Sequence, residues 1–243
     1  MIETLIQADQ YLFSVINGLA GQIGVADNIV LFVIESYVLK GVPVMMVWWG
    51  LWFLRSPMAD QNRQYLLAGL LASIAAIFAG RSLSLTLPFR YRPLHDPEFE
   101  VNLPGGMSDQ ILTGWSSFPS DHAVLFFAMA AAIFLVHRTL GLVLFLHAAT
   151  VISLPRIYTA WHFPGDILFG AFVGISITLL LVFPVAGAIK KLGILQLIER
   201  YSHFSYPIIF FITFQAASMF DSSRDLIRLI ASLTSALMGR IVW

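Results

Sequence analysis

Six apolar stretches separated by polar breaks run through the chain, at residues 28–54, 65–87, 120–136, 139–154, 166–188 and 205–219. A helix needs about 20 apolar residues to cross a bilayer, and only a helix or a closed barrel satisfies its backbone there. Most of the stretches approach that length, while the fourth and sixth must borrow a turn from their flanks or sit where the bilayer thins. The 243 residues are 58% hydrophobic and 12% charged, about half the charged share of a soluble domain, so the chain reads as an integral membrane protein. The 14 basic and 14 acidic residues cancel, and no basic patch with interleaved aromatics occurs, which removes the electrostatic basis for a nucleic-acid partner. The absence of cysteine excludes disulfides, thiolate metal sites and cysteine nucleophiles.

The expected architecture is an all-α integral membrane bundle of about six transmembrane helices, a single domain over 1–243, with amphipathic interfacial helices at both ends. The first is residues 1–26, where Leu5, Tyr11, Leu12, Val15, Ile16 and Leu19 alternate with acids and the lack of Lys or Arg is wrong for a signal peptide's basic start. The second is 221–243, where Leu226, Ile230, Leu233, Leu237 and Ile241 form one stripe. Residues 28–188 hold the expected catalytic core and 205–219 the last span. Arg55, Arg63, Arg138, Lys190, Lys191 and Arg200 all fall on one side of this plan, which the retention of basic loops makes cytoplasmic. The loops at 81–119 and 155–165 then face outward, toward the periplasm or exterior of a bacterial-type inner membrane.

Those outward loops carry the chemistry. The polar segment Phe89–Ser120 is long, and long loops in compact domains are usually functional or disordered. Its Phe99, Leu103, Ile111, Leu112, Trp115 and Phe118 predict folding over the bundle. Arg81, Arg90 and Arg92 precede Pro119-Ser120-Asp121-His122, a helix start with Ser120 as N-cap, where free N–H groups and the helix dipole favour an anion. In the second loop, Pro164-Gly165 breaks the chain so that Asp166 can cap the next helix and accept a bond from the His162 ring. A carboxylate on one ring nitrogen fixes the tautomer and frees the other to attack, and Arg156 adds a donor fork suited to phosphate. Two histidines, one carboxylate and several arginines on one face suit nucleophilic phosphoryl transfer without a metal or other cofactor.

These residues resemble a known family. Pro119-Ser120-Asp121-His122 resembles the Pro-Ser-Gly-His motif, and Arg156, His162 and Asp166 resemble the Ser-Arg-x5-His-x3-Asp motif, of the type 2 phosphatidic acid phosphatase superfamily, which includes vanadium haloperoxidases. The resemblance covers roughly 28–188. It implies that His162 is the nucleophile, oriented by Asp166, that His122 protonates the leaving oxygen, and that Arg92, Arg156 and Ser120 bind the phosphoryl group. Arg92-Pro93 matches the end of the family's Lys-x6-Arg-Pro motif, but position 85 is Leu; Arg81, one turn earlier, is the first candidate for the missing cation and Arg90 the second. Asp121 replaces the motif's Gly and must point away from phosphate or pair with an arginine. Pro155 replaces the Ser before Arg156.

Other features have plainer readings. His95, His137, His147 and His203 lack motif context and read as interfacial or packed residues. Gly170-x-x-x-Gly174 permits close helix contact, within the bundle or across a homo-oligomeric face. Glu35 and Lys40 read as a local pair or a snorkelling lysine near a break at Gly41 and Pro43, with contact to the active-site cleft as the alternative. The expected activity is hydrolysis of a membrane lipid phosphate or diphosphate, first undecaprenyl diphosphate, then phosphatidylglycerol phosphate, phosphatidic acid or lipid A phosphates. An anion transporter is the competing class; it accounts for Glu35 and Lys40 but not for the His162–Asp166 spacing.

Overall fold

The computed structural model describes residues 2–108 and 110–221, with positions 223, 226, 229, 230, 232 and 234 beyond them. The described residues form helices and no strand: α1 (Ile2–Asn17), α2 (Gly24–Glu35), α3 (Tyr37–Lys40), α4 (Val42–Trp52), α5 (Ala59–Thr86), α6 (Asp121–Val136), α7 (Arg138–His147), α8 (Leu154–Tyr158), α9 (Pro164–Lys191), α10 (Ile194–Arg200) and α11 (Ser202–Ala217). The amphipathic helix expected over 221–243 lies largely outside the described residues.

Small residues let α5, α6 and α9 approach closely and fix their directions. Gly80 packs on Val124 and Gly69 on Ala132, so α5 and α6 are antiparallel. A Cβ on Gly170 would stand 2.8 Å from the Ser120 carbonyl oxygen, one on Gly174 would overlap the Val124 carbonyl, and Thr178 Oγ1 donates to the Ala128 carbonyl at 3.3 Å; α6 and α9 are therefore parallel. The Gly170–Gly174 face is thus consumed inside the bundle. α7 turns back along α6, with Gly141 against Phe134, and continues through a π-helical turn, Ala148–Ser153, into α8. That turn directly precedes Pro155, whose ring would crowd the carbonyl four residues earlier and which has no N–H to continue an α ladder.

Among the described residues, three helices are long and apolar enough to cross a membrane: α5, the continuous Arg138–Tyr158 segment and α9. α4 and α6 are shorter apolar helices. The span expected at 28–54 is broken into α2, α3 and α4. Ser36 is extended, with its Oγ accepting the Leu39 N–H at 3.3 Å, and any Cβ at Gly41 would strike the Ala217 carbonyl. The break near Gly41 and Pro43 is therefore present, with a second one at Ser36.

The helix directions put α6, α8 and α9 termini together at one end, with the close of α5. Arg138, Lys190, Lys191 and Arg200 collect at the other, where Arg63 donates to Glu199 at 2.8 Å and to the Trp52 carbonyl at 3.0 Å. α1 packs at the first end. Leu5, Tyr11, Leu12, Val15 and Leu19 are exposed, while Phe13 is 1% exposed among the rings of Phe99 and Phe163. Asn17 donates to the carbonyls of Asn102 and Tyr158, both at 2.8 Å, tying α1 to the long loop and to α8.

Candidate active site

The segment after α5 folds back over the bundle end, as its apolar residues predict. Leu94 N–H donates to the Ala160 carbonyl at 2.9 Å and Ser117 N–H to the Arg90 carbonyl at 2.9 Å, so both outward loops are laced together. Ser120 N–H donates to the Asp166 carbonyl at 3.1 Å, which locks the start of α6 to the start of α9. The result is a cavity of about 760 Å³ whose wall includes Arg81, Arg92, His122, Arg156 and His162.

His162 is 5% exposed. Its Nδ1 lies 2.8 Å from the Ser117 carbonyl, which can only accept, so Nδ1 carries the hydrogen and Nε2 presents a lone pair. Nε2 stands 3.2 Å from Arg92 Nη1. Burial lowers the His162 pKa below its ordinary value, and the nearby Arg92 and Arg156 charges act in the same direction against Asp166. These effects favour the neutral imidazole over the imidazolium.

The bond expected from this ring to Asp166 goes to the Ser117 carbonyl instead. Asp166 occupies the first turn of α9, and Oδ2 reaches back to accept the Phe163 N–H at 2.8 Å, leaving 3.6 Å to His162 Nδ1. Oδ1 accepts from Arg90 Nη1 at 2.6 Å. Asp166 therefore caps α9 from inside its first turn and supports the imidazole by charge at one remove.

Arg92 donates from Nη1 to the Trp161 carbonyl at 2.7 Å, and burial lowers its pKa to about 10, so it remains cationic. Arg156, 1% exposed, donates from Nη1 to the Ile152 carbonyl at 2.5 Å. The Nε atoms of both arginines, Ser120 Oγ and Trp161 Nε1 are buried without a partner. Ser120 occupies the N-cap of α6 as expected, yet its hydroxyl makes no capping bond. Buried donors left unpaired cost about 1–3 kcal/mol each, so this concentration of them suits an anion that completes the set.

The two candidates for the missing first-motif cation part company. Arg81 lines the cavity, but Nη1 is held by Asp121 Oδ2 at 2.6 Å with the guanidinium over the Trp115 ring, 4.2 Å from its centre. Asp121 thus pairs with an arginine, one of the two alternatives its position left open. Arg90 does not line the cavity: it is clamped by Asp9 at 2.7 Å and by Asp166, over the Phe163 ring. The expectation of a phosphate contact from Arg90 does not fit this placement, because both carboxylates consume its fork. His95 Nε2 meets the Ile111 carbonyl at 2.8 Å, a packing bond within the loop. Asp9, which also accepts the Gly165 N–H at 2.6 Å, escaped sequence reasoning; a lone acid on an amphipathic helix carries no signal of its distant partners. The Ser117 carbonyl is equally illegible. Among the described residues no group of three or more His, Asp or Glu gathers as metal ligands would.

The model of the PAP2 superfamily matches residues 63–187, just over half of the chain. The chain belongs to the PAP2 superfamily. The match runs from the start of α5 through most of α9 and so contains every site residue expected from the sequence. A putative undecaprenyl-diphosphatase, YbjG of Escherichia coli (strain K12), is 28% identical over 163 residues, 67% of this chain and 75% of that protein. The bacitracin transport permease protein BcrC of Bacillus licheniformis is 42% identical over 60 residues, 25% of this chain and 29% of that protein. The chain therefore aligns with less than a third of the Bacillus protein. No solved structure matches the chain significantly. With its apolar helices, this PAP2 protein is a membrane protein of a phosphatase family.

Proposed function

We propose that this PAP2 protein hydrolyses a lipid phosphate or diphosphate through a phosphohistidine on His162, without a metal. One observation carries the reading: His162 Nδ1 is anchored by a backbone carbonyl, so the Nε2 lone pair faces a cavity beside Arg92 and Arg156. Nε2 attacks phosphorus, the bond to the leaving oxygen breaks, and His122, on the same wall, supplies the proton to that oxygen. Water then attacks the phosphohistidine, losing its proton to His122, and orthophosphate leaves. Arg92, Arg156 and Ser120 Oγ hold the phosphoryl oxygens throughout. Asp166 acts as the positioning residue, through Arg90 and the Phe163 N–H.

Among substrates, undecaprenyl diphosphate is favoured by the similarity to YbjG, and an end-of-bundle cavity suits a headgroup whose tail stays in lipid. Phosphate release from purified protein, across undecaprenyl diphosphate, phosphatidylglycerol phosphate, phosphatidic acid and lipid A, tests the reading. The expected result is release, fastest with the diphosphate; a preference for phosphatidic acid would overturn the substrate, and no release would overturn the enzyme. The transporter reading gains the name of BcrC over a short alignment but still leaves the anchored His162 without a purpose.

In this reading the bundle crosses a bacterial inner membrane six times, the broken α2–α4 segment counting once, with the cavity outward. The gathering of basic residues at the far end supports that orientation. Cysteines introduced at Asn62 and Gly106 are expected to react with an impermeant thiol reagent from opposite sides. Labelling of both from the same side of intact cells would overturn it.

A further inference from the structure

Lys40 ends α3, between the breaks at Ser36 and Gly41, and is 6% exposed. The short helix is clamped from two sides. Gly41 abuts the Ala217 carbonyl, and His147 Nε2 donates to the Leu39 carbonyl at 2.8 Å. The ammonium donates to the Ile34 carbonyl and lies 4.9 Å from the centre of the Tyr37 ring. Among the described residues it forms no ion pair: Glu35, the partner suggested by the sequence, is exposed and beyond ion-pair distance.

Lys40 lines the same cavity as Arg92, Arg156 and His162, and its charge is close enough to Arg156 for the two to repel. Glu35 lines the same cavity and its charge offsets part of that repulsion without forming an ion pair with Lys40, while Asp166 is engaged with Arg90, Asp121 with Arg81, and Asp221 accepts from the Tyr37 hydroxyl. Burying like charges together is costly unless an anion joins them. Leu85, where the sequence lacks a cation, is 79% exposed on the outside of α5 and does not line the cavity, so a lysine there would not serve the site.

The geometry points to Lys40 as a phosphate-binding residue, contributed from outside the 63–187 family match: its ammonium leaves the Ile34 carbonyl for an oxygen of the phosphoryl group held by Arg156. This rests on reading His162 as the nucleophile. Lys40, and not Arg81, then fills the vacancy left at Leu85.

The test uses purified full-length protein, in which Lys40→Cys supplies a unique thiol because the chain has no cysteine. Lys40→Cys is expected to lose about 100-fold in turnover and to weaken inhibition by orthovanadate at least tenfold. Alkylation with 2-bromoethylamine, verified by mass, restores an ammonium and should recover most of both; a neutral ethyl adduct should recover neither. Lys40→Met serves alongside, with thermal unfolding showing a folded protein whose stabilisation by orthovanadate is diminished. Turnover and vanadate inhibition within twofold of wild type in either variant would overturn the inference, as would equal rescue by both adducts, which would make the role one of packing. His162→Ala runs in parallel. If that variant is inactive while the Lys40 variants are unimpaired, only the Lys40 assignment fails; if it retains full turnover, the nucleophile reading itself fails.

Discussion

His162→Ala is expected to abolish turnover, by about 10⁴-fold or more, and to trap no phosphoenzyme on rapid quench. The reason is positional: Nε2 is the ring nitrogen left with a lone pair once Nδ1–H binds the Ser117 carbonyl, and it already faces Arg92 at 3.2 Å. His122→Ala should behave differently. Its phosphoenzyme should still form, slowly, from an aryl phosphate whose leaving group needs little protonation, and then persist because the attacking water has lost its base. The pH profile gives an independent check. Burial and two neighbouring cations disfavour the His162 imidazolium, so as pH falls the nucleophile stays neutral past the ordinary histidine value of 6.5 before protonation removes it. The acid limb of phosphoenzyme formation should therefore have its midpoint below 6.5. A normal phosphoenzyme level in His162→Ala, or a midpoint above that value, would contradict the assignment.

Gly174→Ala should destabilise the bundle by about 3 kcal/mol, at the upper end of overpacking costs, because the added methyl meets a backbone carbonyl that no rotamer change can move. To admit it, α6 and α9 must separate near Val124, strain the Thr178 bond to Ala128, and disturb Ser120, which sits one turn away against Gly170. Activity should fall with stability. Gly187→Ala on the same helix is the control, since nothing lies within 4 Å of its Cβ position. It should be neutral or slightly stabilising, since alanine exceeds glycine by about 1 kcal/mol in a helix interior. Unfolding midpoints in detergent that coincide for the two variants would refute the close α6–α9 contact.

Much of this protein is legible in its sequence because the determining interactions are local or one-dimensional. Apolar length and helix period mark α5, α6, the Arg138–Tyr158 segment and α9, and Pro119-Ser120 and Pro164-Gly165 mark two helix starts by the backbone chemistry of a few adjacent residues. The spacing of Arg156, His162 and Asp166 was visible for the same reason. Tertiary structure alone decided the rest. Within 28–54 Gly41 and Pro43 mark a break, but the Ala217 carbonyl that Gly41 abuts comes from α11, far along the chain, and no local pattern names it. Arg81 and Arg90 both offer a cation beside the loop, Arg81 favoured by lying one helical turn before Leu85. Asp121 binds one at the cavity wall, whereas Asp9 and Asp166 draw the other away. The partner of His162 Nδ1 is a backbone carbonyl, and every residue has one, so composition and spacing cannot single out Ser117. Lys40 shares no motif with the histidines, and it joins them only because α3 folds into the same end of the bundle. Charge partners are chosen by distance in space, and a charged side chain in a linear pattern carries no record of which distant group will stand beside it.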